Sequence, residues 1–113
     1  GYLTVLPEGL QLPNSNVTKP LQRNVEIAVL KDRILVDRER IADDPAQFLA
    51  NEELVLPSLQ ATLVSRLPAD ASAARVTIQA DRTIPFRLLK KVMFTVDQAG
   101  FHRQSLAVRQ VTG

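Results

Sequence analysis

The fold turns on residues 76–108, VTIQADRTIPFRLLKKVMFTVDQAGFHRQSLAV. Just before and into this run, RVTIQAD alternates strictly: Val76, Ile78 and Ala80 interleave with Arg75, Thr77 and Gln79. A period of two predicts a strand with one buried and one wet face. Asp81 ends it. A helix follows, with Asp81 or Thr83 as capping candidates and Pro85 near its first turn. With Leu89 at the centre of the apolar stripe, Phe86, Val92, Met93, Val96 and Ala99 fall within about 80° of it. Gly100 stands where a helix end needs a residue at positive φ. A last strand, QSLAVRQV, then places Leu106 and Val108 inward. The resulting β–α–β crossover should be right-handed.

Working back along the chain, Leu59, Leu63 and Leu67 recur every four residues, with Val64 beside them. Pro57 suits the first turn of that helix and Pro68 stops it. Before it, VEIAVL and ILV flank the polar pause Lys31-Asp32-Arg33, which reads as a hairpin. Between these lies DDPAQFLANEEL, where Asp43-Asp44-Pro45 is turn chemistry able to open a short helical turn. It is the least readable part of the domain. The order is ββαβαβ, an α+β fold with two helices packed on one face of a small mixed four- to five-stranded sheet.

Residues 1–24 differ from the rest. They hold Pro7, Pro13 and Pro20, three of the chain's 7 prolines. Proline favours extended or polyproline conformations. The segment reads as a linker or arm, the other reading being an edge strand at Leu3–Leu6. The ordered domain is expected over residues 25–113.

At 113 residues, 45% hydrophobic and 23% charged, the chain suits one ordinary globular domain. It has no cysteine and one histidine, His102, which excludes disulfides, thiol catalysis and a nitrogen–sulfur zinc site within one chain. No Gly-x-Ser-x-Gly or phosphate loop is present. The neighbouring carboxylates Asp43-Asp44 and Glu52-Glu53 read as solvated. His102 reads as a surface or capping residue. No enzyme activity, metal or cofactor is expected.

The net charge is +2, and no basic run exceeds Lys90-Lys91. A small α+β nucleic-acid-binding module is the alternative reading, but the outward residues Thr77 and Gln79 are not the stacking aromatics it needs. No segment approaches the ~18–20 apolar residues that span a bilayer, and no signal peptide opens the chain.

Two features suggest binding to other chains. Phe94 sits about 140° from the centre of the helix stripe, among Arg87, Lys90, Lys91, Asp97 and Gln98. It is either packed under the cationic stems or offered to a partner. The last strand, with Ser105, Leu106, Ala107 and Val108, is compatible with pairing to a second copy or an extended peptide. An edge guarded by Arg103 and Arg109 is the competing reading.

Residues 76–108 closely resemble the C-terminal half of the periplasmic domain of the ExbD/TolR family. The matching parts are Ala80-Asp81, Val92-Met93, Ala99-Gly100-Phe101 and Leu106-Ala107-Val108. Upstream, LQLPNSNVTKP resembles the segment that follows the family's transmembrane helix, through Leu12, Pro13 and Ser15. VEIAVLKDRILVDRERI resembles its first hairpin. The chain departs from the pattern at Phe94, where many relatives carry an acid, and in the long link at residues 42–56.

The resemblance implies a subunit of a proton-motive-force-driven inner-membrane complex. A single N-terminal membrane helix, outside this sequence, would carry the proton-sensing acid and leave this domain in the periplasm. The implied partners are a second copy in a homodimer, an ExbB/TolQ/MotA-like membrane protein, and a TonB/TolA-like, gliding or other envelope protein. The arm would be the tether. Its 24 residues at ~3.1 Å each would reach roughly 70 Å.

Overall fold

The computed structural model of the chain describes residues 23–109. The candidate residues Leu12, Pro13 and Ser15, the alternative strand at Leu3–Leu6 and most of the expected arm lie outside the described residues. Arg23 and Asn24, read as the arm's end, are the first residues of a strand.

The elements run β1 (Arg23–Val29), β2 (Ile34–Val36), β3 (Glu39–Arg40), α1 (Pro45–Ala50), α2 (Pro57–Ser65), a 3-10 turn at Ala71–Ala73, β4 (Ala74–Asp81), α3 (Phe86–Gln98) and β5 (Arg103–Arg109). The α+β class is as expected. The order differs from ββαβαβ by a short third hairpin strand and by α1, so among the described residues three α-helices accompany one five-stranded sheet. The sheet order is β3-β2-β1-β4-β5. β1, β2 and β3 pair antiparallel, while β4 lies parallel to both β1 and β5. The predicted hairpin is therefore present.

Register explains the core. Val25, Ile27 and Val29 stand opposite Val76, Ile78 and Ala80, and all six are buried. Ile34 and Val36 of β2 extend the same face. The intervening Asn24, Glu26 and Arg75 are exposed. Phe48, Leu59, Leu63, Leu88, Leu89, Val92 and Val96 from the helices join the same apolar cluster, so the helices cover that face.

The helix readings need three corrections. In α2, Leu59 and Leu63 are buried, but Val64 is exposed, and the helix ends before Leu67. In α3, Phe86 is 63% exposed, whereas Leu88, Lys91 and Thr95 are buried. The buried stripe thus centres on Val92, about 60° from Leu89 around the helix. Finally, Asp81 does not cap α3. Its carboxylate accepts from the Thr83 N–H at 3.2 Å within the preceding turn, and Pro85 opens the helix without a side-chain cap.

The unreadable segment explains the rotated stripe. Asp44 caps α1 through the Ala46 N–H. Asp43, 8% exposed, accepts from the Leu59 N–H at 2.7 Å and the Ser58 N–H at 3.3 Å, capping α2 from outside the helix. Thr95 Oγ1 accepts from the Leu56 N–H and donates to the Lys91 carbonyl. The Lys91 ammonium donates to the carbonyls of Phe48 and Asn51 at the end of α1. Each buried polar side chain here satisfies backbone groups that would otherwise be costly to bury. Together they fasten residues 43–59 over a polar flank of α3.

Candidate functional site: the free edge of the sheet

The two edges of the sheet are built differently. At one end, β3 has two residues, Glu39 and Arg40, both charged and exposed. The turn before it holds Asp37 and Arg38 at φ 48° and 74°. Such a left-handed pair matches the twist of a tight hairpin. Asp37 is anchored: its carboxylate accepts from the Glu26 N–H at 3.0 Å and from the Arg66 guanidinium at 2.8 Å. A short, charged, twisted edge is a poor template for another strand.

At the other end, β5 runs seven residues, in continuous parallel register with β4 from Arg75↔Arg103 to Asp81↔Arg109. Leu106 and Val108 stand opposite Ile78 and Ala80, so they share the helix-covered side as expected. They are not buried, however: Leu106 is 40% and Val108 54% exposed. The reason is position. β5 is the outermost strand among the described residues, which cover these two side chains only in part. Ser105 is exposed and Ala107 half-buried. Four consecutive candidate residues thus form one open edge with an apolar shoulder.

The edge is rigidly presented. Gly100, at φ 105°, closes α3: its N–H bonds the Asp97 carbonyl, and the Phe101 N–H bonds the Val96 carbonyl. This paired reversal sends the chain back toward the sheet. Phe101 is then fully buried, pinning the start of β5 to the core. Gln104 adds a bond from Nε2 to the Met93 carbonyl at 3.1 Å. His102 Nδ1 lies 2.6 Å from Asp97 Oδ1, both side chains being largely exposed.

A model of the biopolymer transport protein ExbD/TolR family matches residues 3–111. The chain belongs to the ExbD/TolR family. No curated protein matches it. The ExbD/TolR family serves biopolymer transport at the inner membrane and works with ExbB/TolQ and TonB/TolA-type proteins. Among the described residues, no helix is long and apolar enough to cross a membrane.

Phe94 is not part of the β5 edge. It lies on the far side of α3 from the core, 41% exposed, beside Phe86, Met93 and Leu54. The sequence reading missed Leu54 and assigned Phe86 to the core. A helical wheel centred on Val92 would have placed Phe86 and Phe94 together outside it. No sequence signal marks Leu54, because its segment has no periodicity.

Proposed function

We propose that this ExbD/TolR-family chain is the periplasmic part of a subunit that couples proton flow to work in the envelope, and that it acts by offering β5 to another chain. It performs no catalysis on this reading. The carrying observation is the inequality of the edges: seven residues with exposed Leu106 and Val108 on β5, against two charged residues on β3. An added strand would take main-chain hydrogen bonds from the edge and cover both apolar side chains. The first occupant is a second copy, giving a homodimer. A TonB/TolA-like protein is the partner that receives the work, and an ExbB/TolQ/MotA-like protein the one that holds the membrane helix.

The test is the mass of the chain by light scattering across a concentration series, for wild type and for Leu106→Asp with Val108→Asp. A dimer in the wild type and a folded monomer in the double variant are expected. A wild-type chain that stays monomeric at millimolar concentration, or a double variant that still dimerises, overturns the use of this edge.

A further inference from the structure

A second apolar surface lies apart from β5. A groove of about 680 Å³ runs between α3 and the segment after α1, with no β5 residue in its lining. Its apolar walls are Leu54, Phe86, Met93 and Phe94. Leu54, Phe86 and Phe94 are 58%, 63% and 41% exposed. They are half of the large hydrophobic side chains exposed among the described residues, gathered in one place. Clustered apolar exposure of this kind marks an interaction site more often than scattered exposure does.

The groove is preformed. Its loop wall is tied to α3 at Lys91–Asn51, at Arg87–Asn51 and at Thr95–Leu56, the last a bond of 3.0 Å. Little ordering is therefore needed to fill it, which favours binding. Its charge is one-sided. Arg87 and Lys90 stand on α3 at the groove, with Lys91 beneath and Glu52 the single acid in the lining. The Lys90 ammonium lies 5.9 Å from the centre of the Phe86 ring, so cation and apolar surface are adjacent.

We propose that this groove binds a linear peptide segment of a partner protein, one in which one or two aliphatic side chains are flanked by carboxylates. From Phe86 to Phe94 is about 12 Å along the helix, room for three or four extended residues. Aliphatic side chains fill the cleft between the rings and Leu54, and carboxylates meet Arg87 and Lys90. A second copy seated groove to groove would bring Arg87 and Lys90 against their own equivalents, which like charge disfavours. A membrane surface fits a projecting apolar face better than a concave one.

The test uses the ¹⁵N-labelled chain and the peptide acetyl-Asp-Glu-Leu-Ile-Glu-Asp-amide, followed by amide shifts. The expected result is saturable binding, with Kd of about 0.1–1 mM and shifts confined to residues 52–54 and 86–94. Lys90→Glu, which leaves the Arg87–Asn51 bond of the groove wall in place, weakens it at least tenfold, as does Phe94→Ser. Leu106→Asp leaves it unchanged, which separates this groove from the β5 edge. The proposal is overturned if the peptide with lysines in place of its acids binds equally well, if the shifts fall on β5, or if none saturates by about 5 mM. Sedimentation of the chain with phosphatidylglycerol vesicles, lost in Phe94→Ser while the peptide does not bind, would overturn it in favour of a membrane surface.

Discussion

The Lys91 ammonium, buried on α3, donates a 2.7 Å hydrogen bond to the carbonyl of Asn51 at the end of α1. It also reaches the Phe48 carbonyl, and the Arg87 guanidinium donates to the Asn51 carbonyl at 3.3 Å, so two cations of α3 close the C-terminus of a six-residue helix. A helix that short is marginal alone, and its last carbonyls need partners. Lys91→Met keeps the stem and removes the charge. It should destabilise the fold by about 1.5–3 kcal/mol, read from the urea midpoint. An unchanged midpoint would mean that water replaces the ammonium without cost.

The hairpin turn gives opposite predictions at two adjacent positions. Asp37→Ala removes acceptors of the exposed Glu26 N–H and of the Arg66 guanidinium, the second partly shielded from water. A loss of about 1–3 kcal/mol is expected. A double-mutant cycle with Arg66→Ala should show coupling of about 0.5 kcal/mol or more. By contrast, Arg38 sits at φ 74°, where glycine is unstrained. Arg38→Gly should raise stability by up to about 1 kcal/mol, seen as a higher thermal midpoint.

Gly100→Ala strains the reversal between α3 and β5 in two ways. The φ of 105° disfavours any side chain, and the new methyl would stand 3.1 Å from Leu67 Cδ2. A loss of about 1–3 kcal/mol is expected in denaturant melts, because the backbone cannot relax while Phe101 remains buried.

A contrast of leucines tests the assignment of the edge. Leu88→Ala, in the core, should cost about 2–5 kcal/mol. Leu106→Ala should change the stability of the monomer by about 0.5 kcal/mol or less, measured where the chain is monomeric. A large monomer effect at Leu106 would show that more of it is covered within the single chain than its 40% exposure allows.

Asp70 supplies a pH prediction. Its carboxylate accepts from the Ser72 hydroxyl and then from the Ser72 N–H, and these bonds hold its pKa below the ordinary value. A depressed pKa means that the ionised cap supports the 3-10 turn fully above the unfolded-state value, about 3.8. That support is lost as the pH falls through the folded value. A carboxyl-carbon NMR titration should give a midpoint below the ordinary one, and Ser72→Ala should move it up.

Much of this protein was legible in its residues alone. The alternation of Val76, Ile78 and Ala80, the hairpin around Lys31-Asp32-Arg33, the prolines that open α1 and α2, and Gly100 each act through local backbone preference or a simple period. They set element types and the α+β class. The family resemblance rested instead on short residue motifs, Ala80-Asp81, Val92-Met93, Ala99-Gly100-Phe101 and Leu106-Ala107-Val108, in matching order and spacing. Tertiary structure decided the rest. Whether Lys91, Thr95 and Asp43 are buried depends on backbone partners roughly 15 to 45 residues away, and no periodicity records such a partner. Without them the α3 stripe reads as centred on Leu89, and Phe86 is misplaced into the core. The same holds for Leu106 and Val108. Their alternation predicts the face they share, but exposure depends on what lies beyond the strand. Only the order β3-β2-β1-β4-β5 shows that β5 is outermost among the described strands, which leaves those side chains partly exposed.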